Sequence, residues 1–99
     1  MNYTLIFNSE VATDFKEGYD WYEAQLQSPG ERFEEAIDLQ LKKITENPEI
    51  YHFAKRNFRE AIVPGFPFSI VYKLNKRKHT IYISAIHHTS RNPKEKFRK

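Results

Sequence analysis

The spacing of apolar residues turns from helical to strand-like near residue 50 of this 99-residue chain, and that change limits what it can fold into. Before it, Val11, Phe15, Tyr22 and Leu26 share one helical face, with Tyr19 beside it. Phe33, Ile37, Leu41 and Ile44 then recur at steps of four, four and three, with Ala36 alongside. Such steps put side chains on one stripe of an α-helix. After it, Phe68, Ile70, Tyr72 and Leu74 alternate with Ser69, Val71 and Lys73, the period of a strand. Strands gathered behind a helical pair predict an α+β fold.

Punctuation residues set the boundaries. Asn2–Asn8 reads as a strand, and Ser9 is the expected N-cap of the first helix. Gly18 costs that helix ~1 kcal/mol of propensity, which a close packing contact would offset. Ser28-Pro29-Gly30-Glu31 opens the second helix with a cap, a first-turn proline and a capping-box acid, and Asn47-Pro48 closes it. Phe58–Val63 is a short strand ended by Pro64-Gly65-Phe66-Pro67. Phe68–Leu74 and His79–His88 flank the polar turn Asn75-Lys76-Arg77-Lys78 as an antiparallel hairpin. The predicted order is β-α-α-β-β-β in one domain, residues 1–99, with a basic tail from about 89 to 99. A mainly antiparallel sheet should carry the helical hairpin on one face, burying Phe15, Tyr22, Phe33, Ile37, Leu41, Ile70 and Ile83. The other face is expected to be partly polar and to carry function.

Eight Phe, six Tyr and one Trp supply large buried units to a chain near the lower size limit for a self-sufficient core. The absence of cysteine excludes disulfides, thiolate metal sites and thiol nucleophiles. No apolar run approaches the ~20 residues of a membrane span, and Met1 leads into Asn2-Tyr3-Thr4 rather than a basic-then-apolar leader. The expected location is the cytoplasm, with no membrane partner. Charge is divided unevenly. Residues 1–50 hold 11 acids and 4 bases, net −7, whereas residues 51–99 hold 2 acids and 12 bases, net +10. That asymmetry suggests a basic surface for a polyanion or an acidic partner.

Several ordered segments resemble the RelE/ParE superfamily of toxins from type II toxin–antitoxin systems. They are Asn47-Pro48-Glu49-Ile50-Tyr51, Arg59 opening a strand, Phe66-Pro67-Phe68-Ser69-Ile70-Val71-Tyr72, and His87-His88-Thr89-Ser90-Arg91-Asn92-Pro93. The resemblance implies one of two targets. One branch cleaves messenger RNA on the ribosome, and the ParE-like branch poisons DNA gyrase without known chemistry of its own. It also implies a cognate antitoxin that wraps the toxin in a hetero-oligomer, with operator DNA reached only through that antitoxin. No cofactor or metal is implied.

Metal-free RNA cleavage needs a base for the 2′-hydroxyl, cations for the phosphorane and a donor for the leaving oxygen. Histidine suits the first and last roles. Uninterrupted alternation would group His87 with Ile81, Ile83 and Ala85, and His88 with Thr80, Tyr82, Ser84 and Ile86. His88 is then the better candidate for the polar face and His87 a core-edge residue, with Arg59 the third catalytic candidate. Lys55, Arg56, Arg59, Lys73, Arg91, Lys94, Lys96 and Arg98 are the candidate target- or antitoxin-binding cations. Arg59 as ordinary structural charge would pair with a helix carboxylate, Glu60 is a lone strand acid, and Tyr72 fits the core period better than a base-stacking role. Nuclease members of the family carry an arginine just before the apolar-apolar-Tyr pattern. Here Ser69 precedes Ile70-Val71-Tyr72. Serine lacks the fixed charge that a phosphate transition state uses, which favours the gyrase branch over the ribosome-dependent nuclease. A non-toxic, basic nucleic-acid-binding domain is the third reading, although no RNA-recognition signature is present.

Overall fold

In the computed structural model, which describes residues 3–25 and 30–99, the apolar stripes of two helices close over one face of a five-stranded sheet. The chain runs β1 (Thr4–Phe7), α1 (Val11–Glu23), α2 (Gly30–Glu46), β2 (Phe53–Lys55), β3 (Phe58–Ile62), β4 (Phe68–Asn75) and β5 (Thr80–His88). In space the strands lie β1-β5-β4-β3-β2. β1 is parallel to β5, and the other three pairings are antiparallel. The α+β class and element order agree with the sequence reading, with one strand added. β2 has three residues, all exposed, so no buried alternation announces it.

Phe33, Ile37 and Ile44 of α2 meet Ile70, Tyr72, Ile81 and Ile83 of the sheet in a core that also takes Val11 and Tyr22 from α1. Phe15 and Leu41 pack at its margin rather than inside it. At Gly18 a Cβ would stand 2.6 Å from Phe33 Cζ, so α1 lies directly on that ring. This is the close contact that the glycine's propensity cost implied. Ser9 does not cap α1. Asn8, one residue earlier, accepts the Glu10 N–H on its side-chain oxygen at 2.9 Å. Asn2, Leu26, Ser28 and Pro29 lie outside the described residues.

One irregularity in the central hairpin decides what the sheet presents. Tyr72 pairs with Ile83, but Val71 pairs with Ala85, leaving Ser84 as an extra residue. A bulge of this kind resets side-chain alternation beyond it. Ile81 and Ile83 face the helices, and so does Ile86, while Ala85 joins Phe58 and Val71 on the opposite face. His88 follows Ile86 and meets the Phe68 ring edge-on, with centroids 5.0 Å apart. His87 follows Ala85 and is buried. The two histidines therefore exchange the faces that uninterrupted alternation assigned them.

The basic tail is folded rather than solvated. A 3₁₀ turn at Pro93–Glu95, capped by Asn92, leads it back across the outer sheet face. Phe97 lies 5.3 Å from the Phe58 ring and covers the Phe58/Val71/Ala85 cluster, so this face, partly polar as expected through Glu60, Ser69 and Ser84, lies under the tail. The bulged Ser84 hydroxyl accepts the Arg98 N–H at 2.7 Å and lies 2.8 Å from the Lys96 carbonyl. The Arg98 guanidinium makes two bonds to Asp14 of α1, 2.7 and 2.9 Å long. Asp14 also accepts the Ile86 N–H at 3.1 Å. Asp14 lies off the apolar stripe of α1, yet it joins helix, bulge and tail.

Two outcomes follow for stability. Gly18→Ala should destabilise the fold by about 1–3 kcal/mol on chemical denaturation, because the crowding at Phe33 exceeds the ~1 kcal/mol gain in helix propensity. Asp14→Asn should cost about 2–3 kcal/mol, since it leaves the Arg98 guanidinium partly buried without its counter-charge. An unchanged or raised denaturation midpoint in either variant contradicts the corresponding contact.

Candidate functional site

Glu60 of β3, Ser69 of β4, His87 of β5 and Lys96 of the tail point into one layer between sheet and tail. The Ser69 hydroxyl donates to Glu60 Oε2, and Lys96 Nζ donates to both carboxylate oxygens at 3.0 Å. Burial pushes the Glu60 carboxyl up, but the hydrogen bonds from Ser69 and Lys96 outweigh it and hold the group below its ordinary range. Burial, helped by the Lys96 charge, pushes the His87 imidazole down. At neutral pH the layer thus holds a neutral imidazole and a compensated carboxylate. A cation does stand near Ser69, supplied by the tail, but Glu60 neutralises it.

His88 and Arg91 come together with the edge of His87 in a cleft of about 500 Å³ between α1 and the end of β5 that Glu17, Trp21 and Phe68 also line. His88 Nδ1 lies 2.7 Å from Ser90 Oγ and accepts the Ser90 N–H at 3.1 Å. Arg91 bonds Glu17 at 3.1 Å across the mouth of the cleft. Glu17 and Trp21 escaped the sequence reading because they sit off the apolar stripe of α1, where charge looks solvated. A tryptophan off that stripe, 60% exposed, was the available signal.

Of the remaining candidates, Arg98 lines that cleft as well, and the others lie apart from it. Arg59 donates to the carbonyls of Glu49 (3.0 Å) and Tyr51 (2.7 Å) and stacks 4.0 Å over Phe53. It fastens the segment between α2 and β2, through carbonyls rather than a helix carboxylate. Tyr72 is fully buried, donates to the Pro48 carbonyl at 2.6 Å, and has its hydroxyl pushed well up by burial, so it is a core residue. Lys55 lies over Phe97 at 5.4 Å, and Lys73 lies over Phe58 and Tyr82 at 5.0 and 5.4 Å. Arg56 occupies the β2–β3 turn with φ 52°, and Lys94 is exposed on the 3₁₀ turn. Lys96 and Arg98 are engaged internally by Glu60 and Asp14. Among the described residues, no group of three His, Asp or Glu is placed to hold a metal ion.

The buried layer makes stability pH-dependent. His87 binds its proton less readily folded than unfolded, so stability should fall as pH drops below 6.5. Glu60 holds its charge more firmly folded than unfolded, so a second loss should begin as pH falls through 4.5. Denaturation midpoints measured from pH 7 to 4 should decline in both windows, and His87→Gln should flatten the first alone. A wild-type midpoint that does not fall below pH 6.5 contradicts the placement of His87.

A comparison with curated protein sequences finds no match. Among solved structures the fold is similar to the chromosomal ParDE toxin–antitoxin system of P. aeruginosa, with a TM-score of 0.74 and 18% identity over 89% of this chain and 97% of that one. It is also similar to the isolated E. coli RelE toxin, with a TM-score of 0.64 and 13% identity over 92% and 88%. The RelBE2 toxin–antitoxin complex of Mycobacterium tuberculosis gives a TM-score of 0.63 and 12% identity over 89% and 99%. These likenesses establish the RelE/ParE-like fold. The sequence model described as "ParE toxin of type II toxin-antitoxin system, parDE" matches residues 5–93, nearly the whole chain, and the protein therefore belongs to the ParE toxin family.

Proposed function

We propose that this toxin arrests growth by binding DNA gyrase, performs no chemistry of its own, and is held inactive by a cognate antitoxin. The observation that carries this reading is the closed outer sheet face. His87 is 5% exposed beneath the tail, and Glu60 is already paired with Lys96 and Ser69. A base that must reach a 2′-hydroxyl needs hydrogen-bond access to it. Ser69 adds no fixed charge for a phosphorane. Membership of the ParE family supports the same reading.

A second reading, a nuclease at the other cleft, would use His88 with Arg91, whose exposed pair with Glu17 an incoming phosphate displaces, and the RNA experiment below separates the two readings. The antitoxin reading draws support from β2, β3 and their turn, where exposed Phe53 and Ile62 accompany exposed Lys55 and Arg56. An acidic amphipathic segment meets both demands of such a surface. Arg91 and Lys94 extend the exposed cations toward the tail.

Induced expression should block replication, and the purified toxin should inhibit gyrase supercoiling. Messenger RNA 5′ ends should show no codon-phased cleavage above background. His88→Ala should keep most of the toxicity, whereas loss of a general acid or base usually costs about 10²–10⁴ in rate. Codon-phased 5′ ends that vanish in His88→Ala would overturn the gyrase reading in favour of a ribosome-dependent nuclease.

A further inference from the structure

Beyond the tail, the β4–β5 hairpin forms a second feature that none of the preceding roles uses. Its turn, residues 75–78, is exposed throughout and carries Lys76, Arg77 and Lys78. Beside it runs a groove of about 620 Å³ lined by Lys73, Lys76, Arg77, Tyr82, Lys99 and the half-buried Leu74, whose side chain packs on the core, with no Asp or Glu in its lining. Lys73 and Tyr82 are direct cross-strand partners. The Lys73 ammonium sits between the Phe58 and Tyr82 rings, and Asn8 donates to the Tyr82 hydroxyl at 2.8 Å. The ion pairs among the described residues leave Lys73, Arg77, Lys78 and Lys99 without a carboxylate. Lys76 reaches Glu49 at 3.1 Å, an exposed pair that a competing anion displaces readily.

We infer that this groove binds the phosphate backbone of duplex DNA. A stable protein partner would be anchored by exposed apolar or aromatic residues at the centre of its footprint. The large exposed apolar side chains are Ile6, Phe7, Trp21, Leu39, Ile50, Phe53 and Ile62, and none lines this groove. Clustered cations without acids and without an apolar anchor match a polyanion instead. Because Lys73 already occupies the Tyr82 ring, the groove offers charge rather than a stacking platform, so binding is to the backbone and independent of sequence. The choice of DNA over RNA rests on the gyrase reading, since a gyrase-directed toxin meets its target with duplex bound. Direct contact of this kind differs from operator binding through an antitoxin.

Fluorescence anisotropy of the full chain with a labelled duplex of about 20 base pairs tests the inference. Three or four phosphate contacts predict a loss of roughly 40- to 150-fold in affinity between 50 and 200 mM salt. Arg77→Glu, in an exposed turn where folding is not at risk, and Lys73→Gln should each weaken binding about tenfold or more at fixed salt. Removing the same amount of charge elsewhere, by Lys42→Ala with Lys43→Ala on α2, should leave affinity within about twofold. Equal loss in the α2 variant, tighter binding to an RNA duplex, or effective competition by polyglutamate would overturn the inference. A supercoiling assay on the same proteins separates this result from the function proposed above. Wild-type inhibition of gyrase without DNA binding removes the groove inference and leaves the gyrase reading standing. DNA binding without inhibition supports the groove's affinity for DNA and removes the gyrase reading.

Discussion

A single carboxylate, Asp14, holds the parts of this molecule that periodicity alone does not. It receives both terminal nitrogens of Arg98 and the Ile86 amide, so α1, the strand beyond the bulge and the chain end meet at one side chain. Planar guanidinium matched to carboxylate fixes orientation as well as distance. With side-chain exposures of 12% for Asp14 and 19% for Arg98, solvent screens the pair far less than it screens a surface ion pair. The bulge in turn gives Ser84 its contacts with the Arg98 amide and the Lys96 carbonyl. With those contacts made, Phe97 seats on Phe58 and Lys96 reaches Glu60.

This arrangement changes the meaning of the charge asymmetry. Twelve bases against two acids after residue 50 suggested one broad basic face. Several of those bases act within the fold: Arg59 fastens a connecting segment, Lys96 and Arg98 hold the tail, and Arg91 pairs with α1. The acidic half supplies three of their counter-charges, through Asp14, Glu10 and Glu17. What remains for partners is more local: exposed Lys55 and Arg56 at one sheet edge, and the cations of the β4–β5 hairpin at the far end.

How much the sequence disclosed follows the same line. Apolar residues at helical and strand spacing located both helices and four of the five strands, because burial of those faces stabilises them. β2 left no trace, since Phe53–Lys55 buries nothing. The bulge left one faint mark, the adjacent apolar pair Ala85-Ile86, where strict alternation would put a polar residue in one of the two places. That slip exchanged His87 and His88 between faces and with them the predicted catalytic assignments. The tail was illegible for a different reason. Its docking depends on Asp14, Glu60 and Ser84, three polar residues far away in the chain, and long-range polar pairing has no period. The departure at Ser69 was legible in sequence, but its Glu60 and Lys96 neighbours were not.

Amide hydrogen exchange tests the clamp most directly. The Arg98 amide donates to the Ser84 hydroxyl, outside the strand ladder, so its protection reports docking of the tail. The Ile86 amide donates to Asp14, so its protection reports that contact. The account predicts that both amides exchange slowly in the wild-type protein and that Arg98→Ala speeds exchange of the Lys96, Phe97 and residue-98 amides together while the β4–β5 core stays protected. Exchange of the Arg98 amide at the rate of an unstructured chain in the wild-type protein would contradict it.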